Sequence, residues 1–256
     1  MEHGFLDEMS RIPSPMRRLD PRIKVLGFVA LLLSVVLTPG ASPAPFVLYA
    51  AILAVLVALS RLPVDHVFER TLVILPFAVM TALFIPFLKG TEVLWSFDAG
   101  PLHIVLAREG LEMFAVIVVK SFLSILCVVL LTATTGFPEL LRALERLRCP
   151  SLVILILSFM YRYLFVVQDE FMKMRLAKES RSAGRSRRMD WKALSGMAGV
   201  LFVRSYERAE AVYLAMCSRG YCGRIVVSHD FRLKTADAAF AVLLAATLVV
   251  INLYAW

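Results

Sequence analysis

Residues 150–167 read PSLVILILSFMYRYLFVV, and this apolar run decides how the chain is arranged. A membrane-spanning helix needs about 20 mainly apolar residues, with a lower limit of about 17, so the run is long enough to cross a bilayer. Arg162 interrupts it, and a charge at membrane depth is costly. Whether the run crosses depends on the sides of the membrane on which its two flanks lie.

The rest of the chain has the composition of an integral membrane protein. Hydrophobic residues make up 59% of the sequence and the mean hydropathy is +0.75, well above the apolar share of a soluble domain. The first twenty residues are polar, so we expect no cleavable signal peptide and the first span to be retained. Five further candidate spans are Ile23 to Thr38, Pro45 to Ser60, Thr71 to Leu88, Met113 to Phe137 and Ala236 to Trp256.

The charges in the first connecting segments predict the orientation, because Lys and Arg concentrate in short cytoplasmic loops. The segment before the first span is rich in Arg and is predicted to be cytoplasmic, whereas TPGASPAP (38–45) is uncharged and is predicted to be outside. RLPVDHVFER (61–70) is then inside. Residues 89–112, with four acids and an Asp-Ala-Gly-Pro turn at 98–101, form an exposed outer loop.

Both flanks of the 150–167 run are predicted to be cytoplasmic. PELLRALERLRCP (138–150) carries three Arg, and residues 168–234 carry fourteen Lys and Arg against seven Asp and Glu. The run therefore cannot cross the membrane once. We expect it to begin a long helix that is tilted, interfacial or buried under the spans, and the C-terminus to lie outside.

The predicted fold class is all-α. It is a polytopic membrane protein with about five transmembrane helices and two long cytoplasmic amphipathic helices. We divide the chain into a four-span membrane domain (1–137), a cytoplasmic or interfacial region (138–235) and a C-terminal transmembrane helix (236–256).

Each amphipathic helix is predicted to end in an Arg flanked by small residues. Apolar residues recur at three- and four-residue steps from Met160, and the first helix should stop near Ser182 or Ala183, because Gly184 suits a left-handed C-cap. The second should begin after Asp190 as N-cap and stop at Gly220. A basic residue at a helix C-terminus is stabilised by the helix dipole whatever its function. The small neighbours also leave the guanidinium free to pair with a partner's carboxylate.

Three stretches of the chain resemble one family. They are RLDPRIKVLGFVALLLSVVLTP (18–39), FPELLRALERLRCPSLVILILSFMYRYLFVVQDEFMKMR (137–175) and RSYERAEAVYLAMCSRGYCGR (204–224). They are similar to the transmembrane T component of energy-coupling factor transporters in its cobalt-type form, CbiQ. The resemblance implies that two short Ala-Arg-Gly-like motifs dock into ATPase subunits, and it assigns them to Ser180, Arg181 and Ser182, and to Ser218, Arg219 and Gly220. Ser replaces Ala at both starts, and Ser182 replaces the first Gly.

The resemblance also implies the partners. These are two copies of an ATP-binding cassette ATPase, a membrane S component that binds the metal ion, and, in some assemblies, a small accessory membrane subunit. ATP and Mg²⁺ would be held by the ATPases and the metal ion by the S component, with no cofactor on this chain. Accordingly, the sequence has no GxxxxGK[ST] motif, and His3, His66, His103 and His229 are isolated. We expect no catalytic residue, no metal site and no nucleic-acid binding, and a location in the inner, cytoplasmic membrane.

The sequence leaves some alternatives open. A stand-alone secondary carrier or a membrane-embedded enzyme is the competing function, although titratable clusters at membrane depth are not evident. The sequence does not decide between cobalt and nickel. Lys120 is either a functional intramembrane charge or a side chain that reaches the outer interface. Arg162 is interpreted as the point where its helix emerges into the headgroup region.

Overall fold

The computed structural model describes residues 16, 19–40, 42–85, 93–99, 102–181, 191–223 and 235–255, and for 93–99 and 102–108 the backbone only. Within these ranges the chain forms eight named helices and one hairpin. They are α1 (Pro21–Leu37), α2 (Ala44–Ser60), α3 (Val64–Ala82), β1 (Val93–Ala99), β2 (Leu102–Ala107), α4 (Arg108–Thr134), α5 (Phe137–Arg146), α6 (Ser151–Arg181), α7 (Trp191–Cys217) and α8 (Thr235–Ala255). The helical fold class predicted from the sequence is confirmed.

The predicted outer loop contains two β-strands, an exception to the helical fold. Strands β1 and β2 pair antiparallel, with Asp98 opposite His103 and Ala99 opposite Leu102. The turn predicted at 98–101 therefore joins two strands, with residues 100 and 101 outside the described part. Runs of β-branched, aromatic and other apolar residues on both sides of the turn favour this hairpin.

Two helix boundaries differ from the predicted spans. The span expected over Met113 to Phe137 ends at Thr134, and Phe137 instead opens α5, whose second residue is Pro138. Proline suits the first turn of a helix, where its missing N–H has no intrahelical partner. Helix α3 begins at Val64 rather than Thr71 and contains Pro76.

The chain divides into two compact units. The first, called here the membrane unit, comprises residues 2–143 and 231–256, and the second, the two-helix unit, comprises residues 144–230. Both chain connections of the two-helix unit therefore run to the membrane unit, one through α5 and the other through the segment before α8.

The membrane unit has α1 and α4 at its centre. Helix α4 packs on α1, α2 and α3, and α8 packs on α1 and α2. The helices share an apolar core whose fully buried members include Leu31, Val35, Tyr49, Leu53 and Leu130. Large apolar side chains on the opposite faces, such as Phe77 and Val73, are exposed, as expected for helix surfaces that face lipid.

Among the described residues, two helices are long and apolar enough to cross a membrane by length and composition, over Glu109–Thr134 and Ser151–Arg181. Ala44–Ser60 and Asp237–Leu253 are shorter apolar helices. The run at 150–167 thus begins one continuous helix, as predicted. That it does not cross the membrane rests on the charges of its flanks and stays a prediction.

The membrane unit buries charge where α1 begins. The Asp20 side chain caps α1 by accepting a 3.0 Å hydrogen bond from the Arg22 N–H. Lys24 is 0% exposed and its Nζ donates to the Thr134 carbonyl at 3.3 Å, at the end of α4. The Asp20 N–H donates to Asp237 Oδ1 in the first turn of α8 at 3.0 Å. Helix α1 is therefore bonded to both α4 and α8.

Lys120 takes part in another such bond. Its Nζ donates to the Val36 carbonyl at 3.0 Å, in the last turn of α1. The carbonyls of a last helical turn have no partner within the helix. Lys120 therefore satisfies one of them, which favours the structural interpretation of this residue.

Candidate docking motifs

The first motif closes helix α6. Ser180 and Arg181 are its last two residues, and the Ser180 hydroxyl donates to the Leu176 carbonyl at 2.9 Å. Both side chains are exposed, whereas Ser182, Ala183 and Gly184 lie outside the described residues. One turn earlier, Arg175 pairs with Glu179 at 3.0 Å. No carboxylate in the described chain pairs with the Arg181 guanidinium.

The second motif is the C-terminal cap of helix α7. The Tyr221 N–H donates to the Met216 carbonyl at 3.1 Å, and the Gly220 N–H donates to the Cys217 carbonyl at 3.0 Å. These two bonds are the pair that defines a Schellman cap. Arg219 is thus the C-cap residue and Gly220 the left-handed residue that follows it. The predicted stop at Gly220 is confirmed.

Gly220 is required there by its backbone. Its φ is +83°, in the left-handed region where a Cβ is unfavourable, yet a Cβ built on it would meet nothing within 4 Å. The requirement for glycine therefore comes from its own backbone conformation and not from crowding by other residues. The Ser218 hydroxyl completes the cap by donating to the Ala215 carbonyl at 3.0 Å. Ser218 and Arg219 are both exposed.

The last turn of α7 contains one perturbed group. A hydrogen bond with Cys217 raises the pKa of the Tyr213 phenol above its ordinary value. The cause is local, because both residues lie on the same face of the helix four positions apart. The described part of helix α7 begins at Trp191. The predicted N-cap, Asp190, lies outside the described residues, so the predicted start of this helix stays a prediction.

Helices α6 and α7 pack against each other and run in opposite directions. Glu170 of α6 pairs with Arg204 of α7, and Arg162 lines the same cavity as Arg219. Residue numbers therefore rise along α6 as they fall along α7. An apolar groove of about 480 Å³ lies between them and includes Leu155, Met160, Val167, Leu201, Val212 and Met216.

This packing places the two motifs far apart. Arg181 lies nineteen residues beyond Arg162 on α6, which is about 28 Å along a straight helix at about 1.5 Å per residue. Arg219 lines the same cavity as Arg162, so it lies near Arg162 and far from Arg181. Within the described residues, no hydrogen bond or ion pair joins the two motifs. They form two separate cationic points on one pair of helices.

Sequence reasoning missed the neighbourhood of Arg162. The structure places its side chain with Tyr163, Arg219 and Tyr221 around a cavity of about 470 Å³. The interpretation of Arg162 as a membrane-interface marker rested on its own helix alone. Only the antiparallel packing of α6 and α7 brings Arg162 to the second motif. A single sequence carries no signal for that packing.

The described part of the chain contains no group of three His, Cys, Asp or Glu side chains that could hold a metal ion. His3 and His229 lie outside the described residues, and nothing of the His66 and His103 side chains is described. Cys127 is buried in the membrane unit, and Cys217 and Cys222 are exposed free thiols.

Known proteins with similar sequences agree on one family. Residues 13–229 match the family described as cobalt transport protein, CbiQ. The chain is 28% identical over 244 residues to an uncharacterized protein of Methanocaldococcus jannaschii, covering 93% of this chain and 82% of the relative. It is 30% identical over 223 residues to the energy-coupling factor transporter transmembrane protein EcfT of Thermanaerovibrio acidaminovorans, covering 83% and 81%. It is 28% identical over 202 residues to the cobalt transport protein CbiQ of Rhodobacter capsulatus, covering 79% and 77%. The resemblance predicted from the sequence is thus confirmed, and the chain belongs to the CbiQ family of cobalt transport proteins.

Proposed function

We propose that this chain is the coupling subunit of an ATP-driven importer of cobalt or nickel. It would transmit the closing of two ATP-binding cassette subunits to a membrane S component that captures the ion. It would be a multi-pass protein of the cytoplasmic membrane, with spans within 1–137 and 236–256 and a cytoplasmic or interfacial region at 138–235. The observation that carries the proposal is the separation of the two motifs. Arg181 ends α6, whereas Arg219 lies at the end of α7 beside Arg162, about 28 Å from Arg181 when measured along α6.

Two separated cations suit docking to two ATPase subunits. Both guanidiniums are exposed, and neither has a carboxylate partner within the described residues. Small neighbours leave them accessible to a bidentate carboxylate contact. Because ATPase subunits approach each other when they bind nucleotide, two docking points on one helix pair would experience their relative movement.

The chain itself would be non-catalytic. ATP and Mg²⁺ would be bound by the ATPases and the metal ion by the S component, with a small accessory membrane subunit as an optional partner. Coupling of two sites requires an element whose arrangement both sites bias. Helices α6 and α7 would be that element, since they contact each other and their unit is connected by chain to the membrane unit at both ends.

The test is ATP-dependent cobalt uptake in vesicles that contain this chain with its cognate ATPase and S subunits. Loss of one partner of a buried charged contact costs roughly 2–5 kcal/mol. Arg181→Glu with Arg219→Glu would also place like charges against the ATPase carboxylates that the two arginines are proposed to contact, so uptake should fall to background while the chain still inserts and folds. Glu207→Arg reverses an exposed charge in the middle of α7, twelve residues before Arg219, and should leave uptake unchanged.

Other outcomes would contradict the proposal. Uptake that survives the double charge reversal would remove both motifs from the mechanism. Robust uptake by this chain without its partners would identify a stand-alone secondary carrier, and ATP hydrolysis by the purified chain would identify an enzyme.

A further inference from the structure

The cavity that contains Arg219 is built from two helices. Helix α6 contributes Phe159, Arg162 and Tyr163, and the end of α7 with its cap contributes Arg219 and Tyr221 among others. Its volume of about 470 Å³ can accommodate a side chain of a partner. The cavity is therefore a feature of the packed helix pair and does not exist on either helix alone.

Its charge is not compensated. Two arginines line it, and none of the nine described lining residues is acidic. Neither guanidinium pairs with a carboxylate of the described chain. Arg162 instead lies 6.0 Å from the centroid of the Tyr163 ring, a weak contact at an exposed site. Two like charges on one cavity repel each other, so binding of an anion there is favoured.

The lining matches a carboxylate on an apolar stem. A guanidinium is a planar fork of donors that fits a carboxylate in a bidentate manner, and the phenol groups of Tyr163 and Tyr221 are further hydrogen-bonding groups on the same lining. Phe159, Val212 and Met216 supply apolar surface beside them. The site therefore suits the side chain of an acidic residue and its methylene groups.

We propose that Arg162 and Arg219 together form one anion site, which holds a carboxylate of the ATPase subunit docked at the second motif. This inference rests on the proposed function and adds Arg162 to it. The second docking point is thus a pair of arginines contributed by both helices. An ATPase carboxylate held there would tie α6 to α7 at the same place where it engages the transporter.

The experiment measures binding of the cognate ATPase subunits to the chain in nanodiscs of neutral phosphatidylcholine. Arg162→Gln and Arg219→Gln should each weaken binding about 10- to 100-fold, as expected for loss of a charged hydrogen bond. Because both arginines would hold the same carboxylate, the double variant should lose clearly less than the product of the two losses. Glu207→Gln, which removes an exposed charge in the middle of α7, should bind like the unaltered chain. Arg162→Lys should restore part of the affinity.

The outcomes separate this inference from the proposed function. If Arg219→Gln and Arg181→Gln weaken binding and Arg162→Gln does not, the paired site is wrong and the docking function stands. If none of them changes binding, the docking function itself fails. Arg162 and Arg219 are exposed, so the variants should fold, and an unchanged thermal midpoint confirms that any loss is local.

A lipid phosphate is the other anion that two arginines would bind. The same measurement in nanodiscs containing phosphatidylglycerol tests it. A loss on Arg162→Gln that appears only with the anionic lipid would assign the cavity to a headgroup and overturn the proposal. The proposal would also be overturned if the binding free energies lost by Arg162→Gln and Arg219→Gln added fully in the double variant. It would be overturned as well if Arg162→Lys bound the ATPase as weakly as Arg162→Gln.

Discussion

The backbone N–H of Asp20 donates a 3.0 Å hydrogen bond to Oδ1 of Asp237, and so joins the start of α1 to the start of α8 across 217 positions of sequence. Both residues are buried, at 6% and 2% exposure. A buried donor that loses its acceptor bears the full desolvation cost of the group. This bond therefore fixes the last helix of the membrane unit to the first.

Replacing Asp237 should destabilise the membrane unit. Asp237→Ala leaves the Asp20 N–H buried without this acceptor, so we expect a loss of about 1–3 kcal/mol. Asp237→Asn keeps a side-chain oxygen that can accept the same bond and should lose less. The measurement is the thermal midpoint of the chain purified in detergent. Equal losses in the two variants would show that the bond to Asp20 does not contribute.

The two lysines that bond to helix carbonyls provide a matched pair. Lys24 is fully buried and Lys120 is half-buried, and each Nζ donates to the carbonyl of a last helical turn. Lys24→Met should cost more stability than Lys120→Met, because the carbonyl that Lys24 leaves behind is removed from water. Thermal midpoints in detergent decide the order. A larger effect at Lys120 would show that its bond to the Val36 carbonyl contributes more to stability than its partial burial predicts.

Two glycines of the two-helix unit should respond to alanine with opposite signs. Gly220 has φ +83°, so Gly220→Ala should cost about 1–2 kcal/mol. Gly196 lies inside α7 with open space around a built Cβ, so Gly196→Ala should add about 0.5–1 kcal/mol. Gly220→Asn should cost less than Gly220→Ala, because Asn tolerates the left-handed region. The thermal midpoint of the purified chain reports both changes, and a tolerated Gly220→Ala would argue against the cap.

The predicted topology can be read from cysteine labelling in intact cells. In a cysteine-free version of the chain, single cysteines near Gly40 or Asp98 should react with an impermeant reagent, and one near Arg185 should not. Cysteines at Arg148 and Lys178, on the two sides of the apolar half of α6, should both be protected. Labelling of only one of these two would show that α6 crosses the membrane, and labelling near Arg185 would refute the five-span topology.

The hairpin shows where a usable sequence signal was not applied. The Asp-Ala-Gly-Pro sequence at 98–101 predicts a turn, and the runs VLWSFDA and LHIVLA beside it form the two strands within the predicted outer loop. Turn chemistry is local, whereas the strands form only by pairing with each other. The break between α4 and α5 is a second example, because the span predicted to continue to Phe137 ends at Thr134.

The sequence by itself determined the helical class, the family and the end of α7 at Gly220. The helical class and the end of α7 depend on neighbours within about one helical turn, namely the apolar period and the glycine at 220. The family is read from long stretches of sequence and needs no tertiary contact. Residues far apart in the chain were paired only by the tertiary structure. It bonded Asp20 to Asp237 and Lys24 to Thr134, and it brought Arg162 to the cavity of Arg219. The physical reason is that such contacts depend on which helix faces pack together and in which direction, and helical periodicity shows that a face is apolar without specifying the face that covers it.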